Sequence, residues 1–262
     1  MAYPRWAVIF TIGVMALAGC GSSGTVQAAE RVSDTKPRPS ATTSRKAPSP
    51  APARTTPAER KAHDKRPGPH GSLRTTGSPE VALTFDDGPS PQWTPKVLAL
   101  LRKFKIKATF CIVGIEAKRH PEVVQAIARE LHTLCNHSWD HDMQLGSRSA
   151  AHIRKDLTRT NEAILRAVPG AEIRYYRQPG GTWTTRGVKI SHDLGMMPLH
   201  WSVDTQDWRK PPARAISSFV IKHAKKGAVV LMHDGGGDRR TTYVALKTIL
   251  PNLTRRFDLT SL

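Results

Sequence analysis

The chain has 262 residues, with 40 Lys or Arg against 21 Asp or Glu and a formal charge of +19. Basic excess runs along its length: residues 21–78 carry 11 Lys/Arg against 4 Asp/Glu, and residues 79–262 carry 28 against 17. Such a balance gives a solvated surface, or one that attracts anionic envelope polymers or lipid headgroups. It does not indicate a nucleic-acid binder, since no nucleic-acid recognition motif is present.

Residues 7–18 are an apolar stretch behind a short n-region containing Arg5. The stretch is short for a membrane span and has the length of a signal-peptide core, so it predicts export. It ends in Leu17-Ala18-Gly19-Cys20, which resembles the bacterial lipobox. That resemblance implies that residues 1–20 are a lipoprotein signal, with Cys20 lipidated and anchoring the chain in the cell membrane, facing the wall. Secretion after cleavage near Ala28-Ala29 is the alternative. Residues 21–78 hold only Val26, Val32 and Leu73 as large aliphatic residues among Pro, Ser, Thr, Ala, Lys and Arg. Too little apolar surface is available there to offset ordering entropy, so the segment reads as a disordered tether. As a flexible coil it would span about 40 Å.

Residues 79–262 are the size of one domain. Strands are predicted at 81–85, 108–113, 173–176, 198–203 and 228–232. Helices are predicted at 95–104, 121–131, 150–167, 186–194, 213–224 and 243–250. The alternation implies parallel βα units. The residues that could do chemistry cluster at or just past the strand ends, where α/β barrels place their sites.

Those residues come in an ordered set: Thr84-Phe85-Asp86-Asp87-Gly88-Pro89, His137-Ser138-Trp139-Asp140-His141, Arg177-Gln178-Pro179-Gly180-Gly181, Asp204-Thr205-Gln206-Asp207-Trp208 and Leu231-Met232-His233-Asp234. Two imidazoles at i, i+4 can share one face of a helical turn, and a carboxylate from elsewhere completes a three-ligand metal site with positions left open. A second carboxylate can take a proton from water, and a distant His can return one to a leaving group. Asp86, Asp87, His137, His141 and His233 fill those roles. Taken alone, Asp-Asp-Gly-Pro is turn chemistry and a His pair is common on surface helices. Their joint occurrence in this order carries the reading.

At these segments, over residues 81–262, the chain resembles the polysaccharide deacetylase family, the NodB-like carbohydrate esterases that remove acetyl groups from N- or O-acetylated sugars. The resemblance implies an α/β fold, a deformed (β/α) barrel of about seven parallel strands. It implies Asp86 as general base, Arg177 as its brace, His233 as general acid and Asp207 as the group that tunes it. Asp87, His137 and His141 would hold one divalent metal, zinc first, with cobalt, manganese or nickel as alternatives. Trp208, walling the acetyl pocket, Leu231 and the backbone N–H of Gly180 would meet substrate. The family carries an aromatic residue where this chain has Gly180, so the oxyanion donor is retained and a ring is lost.

The implied reaction releases acetate from an acetylated polysaccharide. Peptidoglycan N-acetylglucosamine is the first expectation and chitooligosaccharide the next. An O-acetyl xylan esterase and a catalytically silent glycan-binding lipoprotein are the alternatives. Export permits a disulfide between Cys111 and Cys135, and two buried free thiols are the equal alternative. Trp93, Trp183 and Trp201 are expected in the core, and His120, His132, His152, His192, His200 and His223 outside the site.

Overall fold

The computed structural model describes residues 67–262; the signal segment, Cys20 and most of the tether lie outside the described residues. The elements are β1 (Val81–Gly88), α1 (Thr94–Lys103), β2 (Thr109–Ile112), α2 (Gly114–Arg119), α3 (Pro121–Arg129), β3 (Thr133–Asn136), α4 (Ala150–Ala167), β4 (Tyr175–Tyr176), α5 (Thr185–Asp193), β5 (Met197–Pro198), β6 (Val203–Asp204), α6 (Ala213–His223), β7 (Val229–His233), α7 (Arg240–Arg256) and β8 (Leu259–Thr260). All strand pairs are parallel, in the order β5-β4-β3-β2-β1-β7-β6, with β8 beside the start of β1. The expected curled α/β barrel with helices around it is thus the fold.

Local chemistry explains the elements. β1 and β7 are near-continuous apolar runs, as strands covered on both faces should be. Pro95 opens α1, and Arg102 and Lys103 close it against its negative end. Ser149 caps α4 by accepting from the His152 amide, and Thr184 caps α5 by accepting from the Gly187 amide.

Strand alternation divides the side chains into two sets. Val81, Leu83 and Phe85 of β1 join Phe110, Leu134, Val230 and Met232 in the main core beneath the helices. Ala82, Cys111, Cys135 and Val229 point the other way and form a small cluster with Leu199 inside the barrel. Cys111 and Cys135 are cross-strand partners, both fully buried, and are joined by a disulfide.

Several boundaries differ from expectation. Residues 67–78, expected in the tether, belong to the fold; residues 21–66 lie outside the described residues. The Leu73 amide donates to the Pro198 carbonyl at 2.7 Å, the His200 amide donates to the Leu73 carbonyl at 2.7 Å, and the Thr76 amide donates to the Gly227 carbonyl. Leu73 also packs against the interior cluster, so this segment ties the β5 side of the sheet to the start of β7. The strand expected at 198–203 is two edge strands, β5 and β6, on opposite ends of the sheet path. His200 and Trp201 carry the chain between them. α2, β3 and β8 are additional elements, and α7 extends beyond the expected 243–250 at both ends, with Pro251 inside it.

Candidate active site

The inward rows of three strands end in functional side chains. Ala82 and Thr84 lead to Asp86, Cys135 leads to His137, and Val229 and Leu231 lead to His233. Asp86 and His233 are direct partners across the β1–β7 ladder, so register alone sets a carboxylate beside an imidazole. The sheet irregularity between Asp86 and Gly88, with Asp87 at φ 70°, breaks the alternation and lets adjacent aspartates both serve one site.

Asp86 is held by Arg177, which is fully buried. Arg177 Nη1 donates to Asp86 Oδ1 at 2.7 Å and to Thr84 Oγ1 at 2.8 Å, while Nε and Nη2 donate to the carbonyls of Leu199 and His200. The Arg177 carbonyl meets His137 Nδ1 at 2.8 Å. A carbonyl can only accept, so Nδ1 carries the proton and the lone pair of His137 Nε2 faces the carboxylates.

Asp87, His137 and His141 converge, with their candidate ligand atoms within 4.8 Å of one another. Asp87 Oδ1 lies 3.4 Å from His137 Nε2 and 3.2 Å from His141 Nε2, and it is buried without a hydrogen-bond partner. An orphaned carboxylate oxygen facing two imidazole nitrogens fits a shared divalent cation. The oxygen and nitrogen donors suit zinc and its neighbours alike. Burial pushes the Asp87 carboxyl up, but the imidazoles of His137, His233 and His141 around it hold it well below its ordinary value. Burial, with His137 beside it, keeps His141 below the usual imidazole range. The His pair does not share a helical turn as its spacing suggested. Residues 137–141 form a loop with Ser138 and His141 at positive φ, pinned by Ser138 Oγ, Asn136 Oδ1 and Asp156 Oδ1, each accepting a loop amide.

Opposite stands His233. Its Nδ1 is 2.6 Å from Asp207 Oδ1, and its amide donates to Asp207 Oδ2, which also accepts from Thr242 Oγ1 at 2.7 Å. Burial works against charge on His233, but Asp207, then Asp87 and Asp86, outweigh it and raise the imidazole to about 9. The same pairing holds Asp207 below its ordinary value despite burial.

Asp86, Asp87, His137, His141 and His233 line one open cavity of about 1190 Å³, with Gly180, Leu231 and the half-exposed Trp208 on its walls. Trp93 and Trp183 are buried as expected, Trp183 donating to His200 Nδ1, and Trp93 also reaches the cavity wall with the partly buried Trp201. Gly180 sits at φ 61°, a conformation suited to glycine. A Cβ there would lie 2.5 Å from the Met143 methyl, so Met143 occupies the space where a side chain would start. Asp234, named in the sequence without a role, is fully buried. Burial, with Asp87 and Asp86 nearby, raises its carboxyl to about 7 against the hydrogen bond from Thr94. No sequence signal marked Thr94, Met143, Arg239 or Thr242.

The polysaccharide deacetylase family profile matches residues 73–199. A chitooligosaccharide deacetylase of Rhizobium leguminosarum bv. trifolii is 37% identical over 194 residues, covering 70% of this chain and 89% of that protein. A peptidoglycan-N-acetylglucosamine deacetylase of Bacillus cereus is 36% identical over 178 residues, covering 67% and 82%. The crystal structure of a peptidoglycan N-acetylglucosamine deacetylase superposes with a TM-score of 0.67 at 33% identity, covering 71% of this chain and 87% of that one. With its fold, its motifs and these relatives in agreement, the chain belongs to the polysaccharide deacetylase family and is a deacetylase.

Proposed function

We propose that the protein removes N-acetyl groups from envelope glycan, with peptidoglycan N-acetylglucosamine as first substrate and chitooligosaccharide as second. The observation that carries this is the pairing, within one cavity, of the Arg177-braced Asp86 beside the Asp87–His137–His141 cluster with the Asp207-bound His233. Relatives named for each substrate support the pair, and the expected place at the envelope sets the order.

A divalent metal, zinc first, on Asp87, His137 and His141 would supply Lewis acidity toward the acetyl carbonyl and its attacking water. Arg177 occupies Asp86 Oδ1, which leaves Oδ2 to take the proton of that water. The Gly180 N–H, on the cavity wall, would donate to the developing oxyanion. His233, protonated and held through Nδ1 by Asp207, returns a proton from Nε2 to the departing amine. Leu231, Trp208 and Met143 shape the space for the acetyl group and sugar. In the same reading, lipidation at Cys20 holds the enzyme on the membrane with its cavity among wall polymers. Cys20→Ser should then move the protein from the membrane fraction to the medium.

Acetate release by the purified protein from peptidoglycan and from N-acetylglucosamine oligomers tests the assignment, before chelation, after it, and after zinc or cobalt is restored. Chelator-sensitive release restored by metal is expected. Release from acetylated xylan alone would replace the N-acetyl substrate with an O-acetyl one.

A further inference from the structure

The turn after β7 is built around Asp87, and one buried arginine holds that turn. The Asp234 and Gly235 amides donate to the Asp86 carbonyl at 3.1 and 3.3 Å, carrying the β1–β7 ladder past His233. A Cβ on Gly235 would lie 2.0 Å from the Asp87 carbonyl oxygen and 2.6 Å from the Gly88 nitrogen. One on Gly236 would lie 2.5 Å from Asp87 Oδ2 and 3.2 Å from Asp87 Cβ. The two glycines therefore lie against the backbone and the carboxylate of Asp87, closer than any side chain allows.

The amide bonds to the Asp86 carbonyl hold the start of this turn, but Gly236 and Gly237 follow at φ 70° and 119° on a chain segment of maximal freedom. The constraint comes from Arg239, which is only 4% exposed at the entry to α7. Its Nε donates to the Gly235 carbonyl and its Nη2 to the Gly236 carbonyl at 2.8 Å. That Nη2 lies 3.1 Å from the point where a Gly236 Cβ would stand, so the guanidinium backs the same glycine that touches Asp87 Oδ2. A planar fork spanning two successive carbonyls fixes both peptide planes, which a single ammonium cannot do.

We infer that Arg239 is a positioning residue for the metal-binding carboxylate: by clamping Gly235 and Gly236 it holds Asp87 in the orientation that faces His137 and His141. The inference rests on the metal reading of those three residues and goes beyond it, because Arg239 is neither a ligand nor part of any motif that marked the site.

The test measures cobalt and zinc affinity of the full-length protein by competition with a chromophoric chelator, alongside the unfolding temperature of the metal-free form. Arg239→Lys keeps the charge and loses the fork, and Gly236→Ala keeps Arg239 but intrudes on Asp87 Oδ2. Both should weaken metal binding about 10–100-fold, as loss of an outer-shell support does. The metal-free unfolding temperature of Arg239→Lys should stay near that of the parent, and its acetate release should recover at saturating metal. Affinity within twofold of the parent in both variants overturns the inference, and so does a loss of affinity that only tracks a lowered unfolding temperature. Affinity is read without turnover, so failure to release acetate from any glycan would sink the proposed reaction and leave this result standing.

Discussion

Asp207→Asn is the sharpest probe of the acid side of the site. His233 is raised from an ordinary 6.5 to about 9, with Asp207 the main cause opposing burial. That shift corresponds to roughly 3 kcal/mol favouring the imidazolium. Removing the carboxylate charge leaves burial in place, so the imidazole should fall to 6.5 or lower. At pH 7.5 its protonated fraction then drops from about 97% to about 9% or less, a loss of about tenfold or more in turnover if His233 is the proton donor. The sign sets the form of the profile. An acid catalyst with a raised value works below that value and fails as pH rises through it, so the alkaline limb of kcat/KM should move down by about two units or more in the variant. Near pH 5.5 both enzymes hold a protonated His233, and the deficit should shrink to a few-fold. The assay is acetate release from N-acetylglucosamine oligomers across pH 5–10 with metal saturating. A variant whose alkaline limb coincides with that of the parent would refute the reasoning. A uniform loss at every pH would show that Asp207 matters only for packing.

Asp86→Asn should lower turnover by about 10²–10⁴ while metal affinity stays near normal; near-normal activity would remove Asp86 as the base. Met143→Ala opens the space beside Gly180 and should raise KM for oligomers by about tenfold or less with kcat little changed, measured on chains of increasing length. A fall in kcat with KM constant would place Met143 elsewhere in the reaction. Reducing Cys111–Cys135 opens a loop of 24 residues and should cost about 3 kcal/mol of stability, read from denaturant unfolding with and without reductant; coincident curves would show that the bridge carries no stability.

Much of the fold was legible because its central strands are simple signals. Val81–Phe85 and Ala228–Met232 are apolar runs bounded by Pro, Gly or charge, and both are core strands. β3 was not marked because Thr133–Asn136 is four residues long and merges into the His-bearing loop. α2 begins at a glycine and runs into Pro121, so its six residues lack a period of their own. The run 198–203 has strand-like composition, but composition does not say to which edge a strand belongs, and here the chain changes edges at His200 and Trp201. The tether was drawn too long because Leu73 is a single aliphatic residue among polar ones. Its worth comes from one interior hole that exists only once the barrel has curled.

The site was more legible than the fold for a physical reason. Its motifs follow one another in the chain because each sits at or beyond the end of a different strand: Asp86 and Asp87 at β1, His137 and His141 after β3, Arg177 after β4, Asp207 after β6 and His233 at β7. Strand pleat and register then bring them together, so spacing in sequence becomes proximity in space. What escaped notice is what answers to no strand. Thr242 supports Asp207 from α7, Thr94 supports Asp234 from α1, and Arg239 holds a glycine turn. Thr242 and Thr94 reach across from distant segments, and Arg239 acts on Asp87 only through the glycines beside it. Arg177 stands between the two classes: its side chain braces Asp86 and its carbonyl orients His137, so one residue couples the proposed base to a proposed ligand. A substitution that preserved its charge but not its fork would therefore loosen the brace on Asp86 while the backbone carbonyl that orients His137 stays in place.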